Sequence, residues 1–248
     1  MTTLTISNKY FFTNENIYKI QKKINSFNKK YVESITNQPD KNTNKINLKN
    51  DDFLSNFTFV EDETDSLFWC WFMFDRGIEN YYIETKINKS NFSFMKNIKM
   101  GLISNIRKNK KKLKPLKIKI SEIENNLVYE EKINLETLLA ILTCNEQNII
   151  YIDDKIYYKN IVNCDNKTIY IYKLKDVYGI SLIDIDHVFL DNNRLLIENI
   201  NKPLKTITNY KAQELRDICK KMNINVMKTP TKYKPKKELY SALQEILF

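Results

Sequence analysis

Asp65-Ser66-Leu67-Phe68-Trp69-Cys70-Trp71-Phe72-Met73-Phe74 is the most apolar and aromatic run of the chain. It follows the acidic cluster Glu61-Asp62-Glu63, with Thr64 and Asp65 as capping residues, and it closes at Asp75-Arg76-Gly77. Carboxylates and a capping Asp ahead of an apolar run suit a helix N-terminus, where free N–H groups and the dipole favour negative charge, and glycine suits the stop. The run is apolar on every side, so the helix belongs inside a core, not on its surface. The chemical question it raises is whether Ser66 or Cys70, near its start, does more than pack.

Upstream, residues 13–35 carry Ile17, Ile20, Ile24, Phe27 and Tyr31 at three- and four-residue spacing, which predicts one amphipathic helix capped by Thr13 or Asn14. Residues 38–52 are polar, Pro-containing and rich in Asn and Lys, the composition of a linker. Downstream, Tyr81-Tyr82-Ile83-Glu84-Thr85 is short and β-prone. Residues 92–113 return to helical spacing through Phe94, Ile98, Leu102, Ile106 and Leu113, with a stop at Pro115. Leu116, Ile118 and Ile120 then alternate with Lys117 and Lys119, as in a half-buried strand with one basic face. Residues 133–143 predict another apolar helix capped by Asn134, and residues 148–158 read as strand, Asp153-Asp154 turn, strand. Further β-prone segments follow at 168–172, 178–183 and 188–197, the last broken by Asp191-Asn192-Asn193. Helices gathered in the first half and strands in the second predict an α+β fold with an antiparallel sheet. The expected organisation is a helical segment (1–37), a linker (38–52), an α+β domain (53–201) and a basic module (202–248).

The 248 residues are 42% hydrophobic and 12% aromatic, enough to build a core. No Gly-rich phosphate loop occurs among the 3 glycines, which excludes Walker and Rossmann sites. Cys70, Cys144, Cys164 and Cys219 form no C-x-x-C pair, and with a single histidine no zinc-site spacing can be assembled, so neither metal nor cofactor is expected. The first residues lack a charged start followed by an apolar core, and no apolar run approaches the roughly 18 residues needed to span a bilayer. The expectation is an intracellular, non-secreted protein with reduced thiols and no membrane partner.

Lys and Arg number 40 against 30 acids, a net charge of +10 that favours anionic partners, nucleic acid first. The charge is concentrated in two places. Arg107, Lys108, Lys110, Lys111, Lys112, Lys114, Lys117 and Lys119 run without an intervening acid, either as a solvated helix end or as a nucleic-acid contact through Arg107, Lys110, Lys111 and Lys112. From Lys202 onward eleven basic residues face four acids, +7 of the chain's +10.

That second region resembles the SAP module and its relative at the N-terminus of Rho-type termination factors. Residues 209–224 match the first helix of that motif and residues 236–247 the second, with a basic loop between. Leu215, Ile218 and Met222 supply the first helical face, Ile224 the plug, and Leu239, Leu243 and Ile246 the second face. The resemblance implies that the loop and the N-terminus of the second helix meet a DNA backbone, here through Lys232, Lys234, Lys236 and Lys237. The loop is longer than is usual in the family, and Lys234-Pro235 stands where a glycine is common. DNA ranks ahead of RNA as the expected partner.

A cysteine early on an apolar helix and a histidine late in the chain, in Asp186-His187-Val188, resemble papain-like cysteine proteases, whose thiol is activated at a helix N-terminus. The order of elements is also similar to ovarian-tumour-type (OTU) deubiquitinases: Asp65-Ser66-Leu67-Phe68, the basic helix 103–109, the helix 135–141 before a strand at 149–152, then His187. Ser66 stands in the nucleophile register of that family, and Cys70 lies one turn deeper. The resemblance implies Cys70 or Ser66 as nucleophile, His187 as base and Asp186 or Asp184 as its orienting acid, with ubiquitin as a partner. Taken whole, the chain resembles a poorly characterised group of proteins of large nucleocytoplasmic DNA viruses, which implies viral protein partners and residence in a host-cytoplasmic viral factory or the virion. Three functions are therefore weighed: a non-catalytic nucleic-acid-associated protein, a cysteine peptidase or deubiquitinase localised by the basic tail, and a structural packing protein that uses the basic tail for protein contacts.

Overall fold

The computed structural model describes residues 53–60, 63–88 and 92–247. The expected helix at 13–35 and linker at 38–52 lie outside the described residues. Residues 53–59 belong to a separate compact unit, with a short strand β1 (Thr58–Phe59) and the rings of Phe53 and Phe57 at 5.4 Å.

From Val60 onward the chain is α+β. Helices α1 (Ser66–Arg76), α2 (Ile78–Tyr82), α3 (Phe92–Lys108), α4 (Ile120–Tyr129) and α5 (Leu135–Cys144) precede strands β2 (Asn148–Ile152), β3 (Ile156–Asn160), β4 (Thr168–Leu174) and β5 (Val177–Ser181), then α6 (His187–Asn193) and β6 (Leu195–Ile197). Within residues 60–248 the strands lie in the order β5-β4-β2-β3-β6. The β2–β3 and β4–β5 pairs are antiparallel hairpins, whereas β2–β4 and β3–β6 are parallel, so the sheet is mixed where alternation alone predicts an antiparallel one.

Successive strand residues point to opposite faces, and burial sorts them. Ile149, Tyr151, Ile169, Ile171 and Ile180 join the core built with α1, α3, α4 and α5. Ile150, Ile152, Tyr157, Tyr170 and Tyr172 are buried on the opposite face, where Tyr157 donates to Asp191 of α6 and Arg194 sits 5.7 Å from the ring of Tyr172.

Helix α1 is buried from Ser66 to Met73, as its all-round apolar character requires. Asp65 caps it, accepting from the Phe68 N–H at 3.1 Å, and Gly77 ends it at φ 92. The cap does more than close one helix. Asp65, 1% exposed, also accepts from Lys99 Nζ of α3 at 2.9 Å and from the Ile133 N–H ahead of α5 at 3.0 Å. Lys99 in turn donates to the Glu131 carbonyl at 3.0 Å. One buried carboxylate thus ties three helices together.

Several local expectations give way to tertiary structure. The β-prone Tyr81–Thr85 stretch completes α2 and a π-helical turn at Ile83–Ile87, because Tyr81 packs its ring on Trp69 at 5.5 Å. The basic stretch after α3 winds into a 3-10 helix, Lys110–Leu116, with Pro115 inside it, and Ile120 opens α4 in place of a strand. The segment 188–197 divides into α6, capped by Asp186 on the Val188 N–H at 2.8 Å, and the short β6.

Residues 204–247 close a second, smaller core. Helix α7 (Ala212–Lys221), the hairpin β7 (Met227–Thr229) and β8 (Lys232–Tyr233), and helix α8 (Lys236–Leu247) surround Leu204, Tyr210, Leu215, Cys219, Met222, Val226, Leu239 and Leu243. The expected faces are in place, with two corrections: Cys219 is a core residue, and Ile246 is 41% exposed while Leu247 packs instead.

Candidate functional site

Cys70 is 0% exposed, enclosed by the core on α1. Burial pushes its thiol far above the usual cysteine range, and the negative charge of Asp65 pushes it further. A nucleophilic cysteine needs the opposite, a thiol whose anion is favoured and reachable. Ser66, one turn earlier, accepts a hydrogen bond from the Tyr178 N–H of β5 at 3.3 Å and is buried.

His187 is exposed at the first position of α6. Its Nε2 lies 3.4 Å from the Tyr170 hydroxyl, which also reaches Asp184 at 3.4 Å. Tyr170 stands on the sheet face opposite Ile169 and Ile171, the β4 residues that share a core with Cys70. The sheet therefore separates Cys70 and Ser66 from His187. Asp186, expected to orient the imidazole, spends its carboxylate capping α6. The four catalytic candidates are not assembled, and the resemblance in element order to OTU and papain-like proteases carries no catalytic geometry with it. Order along the chain fixes neither the face of a sheet nor the depth of a side chain.

The basic residues fare differently. Arg107 is engaged by both oxygens of Glu124, at 2.7 and 2.9 Å, and Lys112 pairs with Glu146 at 2.9 Å while donating to the Cys144 carbonyl. These two are structural clamps from α3 and its 3-10 extension to α4 and the end of α5. Lys110 and Lys111 remain exposed, together with Lys108, Lys114 and Lys117, and none of the five forms an ion pair with a described residue.

In the C-terminal module Tyr233 packs its ring 4.3 Å from the Arg216 guanidinium; of the lysines on either side of it, Lys232 is exposed and Lys234 is half-buried, near enough to α7 that its charge opposes the burial-driven rise of the Cys219 thiol. Two residues on, Lys236 and Lys237 fill the first turn of α8. Glu238, the acid of that turn, reaches Lys228 of the hairpin at 3.5 Å. Lys232, Lys234, Lys236 and Lys237 form no ion pair among the described residues. Cations at a helix N-terminus oppose the dipole and stand next to unpaired N–H groups, an arrangement that an anion relieves.

No protein-family model, curated protein or solved structure matches the chain.

Among the described residues no group of three or more His, Cys, Asp or Glu could hold a metal ion, and no helix is long and apolar enough to cross a membrane. What sequence reasoning missed is the division of the middle basic run into clamps and free cations. The acids that engage it, Glu124 and Glu146, lie 17 and 34 residues further along, and only the packing of α4 and α5 brings them back.

Proposed function

We propose that this protein binds nucleic acid through its C-terminal module and carries out no chemistry on it. The observation that carries this reading is the grouping of Lys232, Lys234, Lys236 and Lys237 at one hairpin edge and one helix N-terminus, without carboxylate partners among the described residues. Backbone N–H groups and lysines at a helix start are suited to phosphate oxygens, and such contacts position a duplex without reading its sequence. The exposed lysines of the 3-10 helix would add to the field that draws a polyanion in. The resemblance to viral proteins and to the SAP module supports DNA as the substrate and a viral factory or virion as the setting. The peptidase reading has no comparable support, since its nucleophile is enclosed and its base lies across the sheet.

The test is fluorescence anisotropy with a labelled duplex over a range of salt. Four phosphate contacts correspond to a slope of log affinity on log salt of about −3.6, or roughly a 150-fold loss between 50 and 200 mM. Replacing Lys236 and Lys237 by Ala should flatten the slope by about 1.8. An unchanged slope, or equal affinity in a chain lacking residues 205–248, overturns the reading.

A further inference from the structure

The tyrosines of the C-terminal module divide by use. Tyr210 is buried and its hydroxyl accepts from the Lys205 N–H at 3.0 Å, while Tyr240 is half-buried and donates to the Lys205 carbonyl at 2.8 Å. Tyr233 serves neither purpose. Its cross-strand partner Met227 packs against the small core, but Tyr233 is 44% exposed, and its hydroxyl forms no hydrogen bond among the described residues. What holds the ring is the Arg216 guanidinium, 4.3 Å from its centroid, a cation drawn to the electron-rich face. The acids beside Arg216 are engaged elsewhere: Glu214 accepts from the Lys211 N–H at 3.2 Å, and Asp217 from Gln213 Nε2 at 2.9 Å. Arg216 forms no ion pair among the described residues and donates one hydrogen bond, to Gln213 Oε1 at 3.3 Å. The guanidinium thus covers one face of the ring, and the exposure of Tyr233 belongs to the rest of it. A ring already held in place loses little freedom when a second flat group stacks on it. Neighbouring strand residues point to opposite faces, so Lys232 leaves the ring clear while standing at the same hairpin edge, with Lys236 and Lys237 just beyond.

We propose that Tyr233 is a stacking platform for a base of an unpaired nucleic-acid strand, whose phosphates are taken by Lys232, Lys236 and Lys237. The inference rests on the backbone-binding reading of this module and adds the kind of strand it takes. Lysines without ion pairs call for an anion, and an exposed aromatic ring calls for a flat apolar group. A nucleotide joins both in one unit, and a basic surface carrying an aromatic ring is how single strands are held. Every base has a face to stack, so the contact tolerates any sequence. In a duplex the bases are stacked on one another, and drawing one out costs unpairing and unstacking, so the ring serves an unpaired strand.

The experiment measures fluorescence anisotropy of the full chain with three labelled probes: a short oligothymidylate, the same strand built of abasic units, and a duplex. The parent should bind oligothymidylate about 5- to 150-fold more tightly than the abasic strand, the worth of one stacked base, with the same salt slope because the phosphates are the same. Tyr233→Ala should remove that advantage and leave the affinities for the abasic strand and the duplex unchanged. Tyr233→Phe keeps the ring and drops only the hydroxyl, so it should bind all three probes as the parent does. If the parent binds oligothymidylate and the abasic strand alike while still binding the duplex, the backbone reading stands and the stacking inference is wrong. If none of the probes binds, both fall. An equal loss on all three probes in Tyr233→Ala would make the ring a clip between hairpin and helix, and that too overturns the proposal.

Discussion

Replacing Asp65 by Asn keeps the shape of the side chain and removes its charge. In the parent one oxygen accepts from both Lys99 and the Ile133 N–H, and the other from the Phe68 N–H. An amide can fill only one of these roles. If its oxygen faces Lys99, the Phe68 N–H loses its cap, worth about 1 kcal/mol. If it faces Phe68, an NH2 group confronts the Lys99 ammonium and the Ile133 N–H. In either orientation the Lys99 cation, 4% exposed, keeps no charged partner, and breaking a buried pair from one side costs about 3–5 kcal/mol. With a urea slope of about 2 kcal/mol per molar, the unfolding midpoint should fall by roughly 2 M. Trp69 and Trp71 both lie on α1 and are the chain's 2 tryptophans, so fluorescence reports this helix directly. The double variant Asp65→Asn with Lys99→Met should recover much of the loss, because burial opposes both charges and a neutral pair avoids that cost. Burial already raises the Asp65 carboxyl above its ordinary value of 3.8, against the pull of Lys99, Ile133 and Phe68. Lys99→Met alone raises it further. A carboxyl raised in the folded state gives its full stability below its unfolded value and loses it as pH rises through the folded one, so the gap between Lys99→Met and the parent should narrow as pH falls from 7 toward 4. A single substitution costing less than about 1 kcal/mol, or a double variant as unstable as the sum of the singles, refutes the keystone role.

Tyr82, Tyr151, Tyr157, Tyr158, Tyr170, Tyr172 and Tyr178 all have hydroxyls raised above the usual 10.0, with burial the leading cause. The native state holds protons that the unfolded chain releases, so the tyrosines' contribution to stability should be level below pH 10 and fall above it, with tyrosinate absorbance rising together with loss of helical circular dichroism. A thiol reagent should label exposed Cys164 promptly and reach buried Cys70, Cys144 and Cys219 only as the fold opens; fast labelling of Cys70 in the native protein would contradict its enclosure. Substituting Leu215 by Ala, at 0% exposure in the second core, should destabilise the C-terminal module by about 2–5 kcal/mol and weaken duplex binding with it, which thermal melts and anisotropy would show together.

Much of the architecture is legible in the residues. The all-apolar run after Asp65 had to become a buried helix, the Asp153-Asp154 turn had to make a hairpin, and the basic tail had to gather its few leucines into a core of its own, because capping, alternation and helical spacing are local rules acting on neighbours. Local rules stop where partners are distant. The β-prone tyrosines at 81–85 turn helical against Trp69, the strands pair in parallel as well as antiparallel, and Arg107 and Lys112 find carboxylates that sequence places far from them. The candidate chemistry divides the same way. The sequence by itself supplied a cysteine, a serine, a histidine and an excess of lysine. Only tertiary structure decided that the first two are buried on one side of a sheet and the third lies on the other, while four lysines at a hairpin edge and a helix start form no ion pair among the described residues. The physical reason is that a strand sends adjacent side chains to opposite faces, so two residues near in topology can be kept apart by the sheet that joins them.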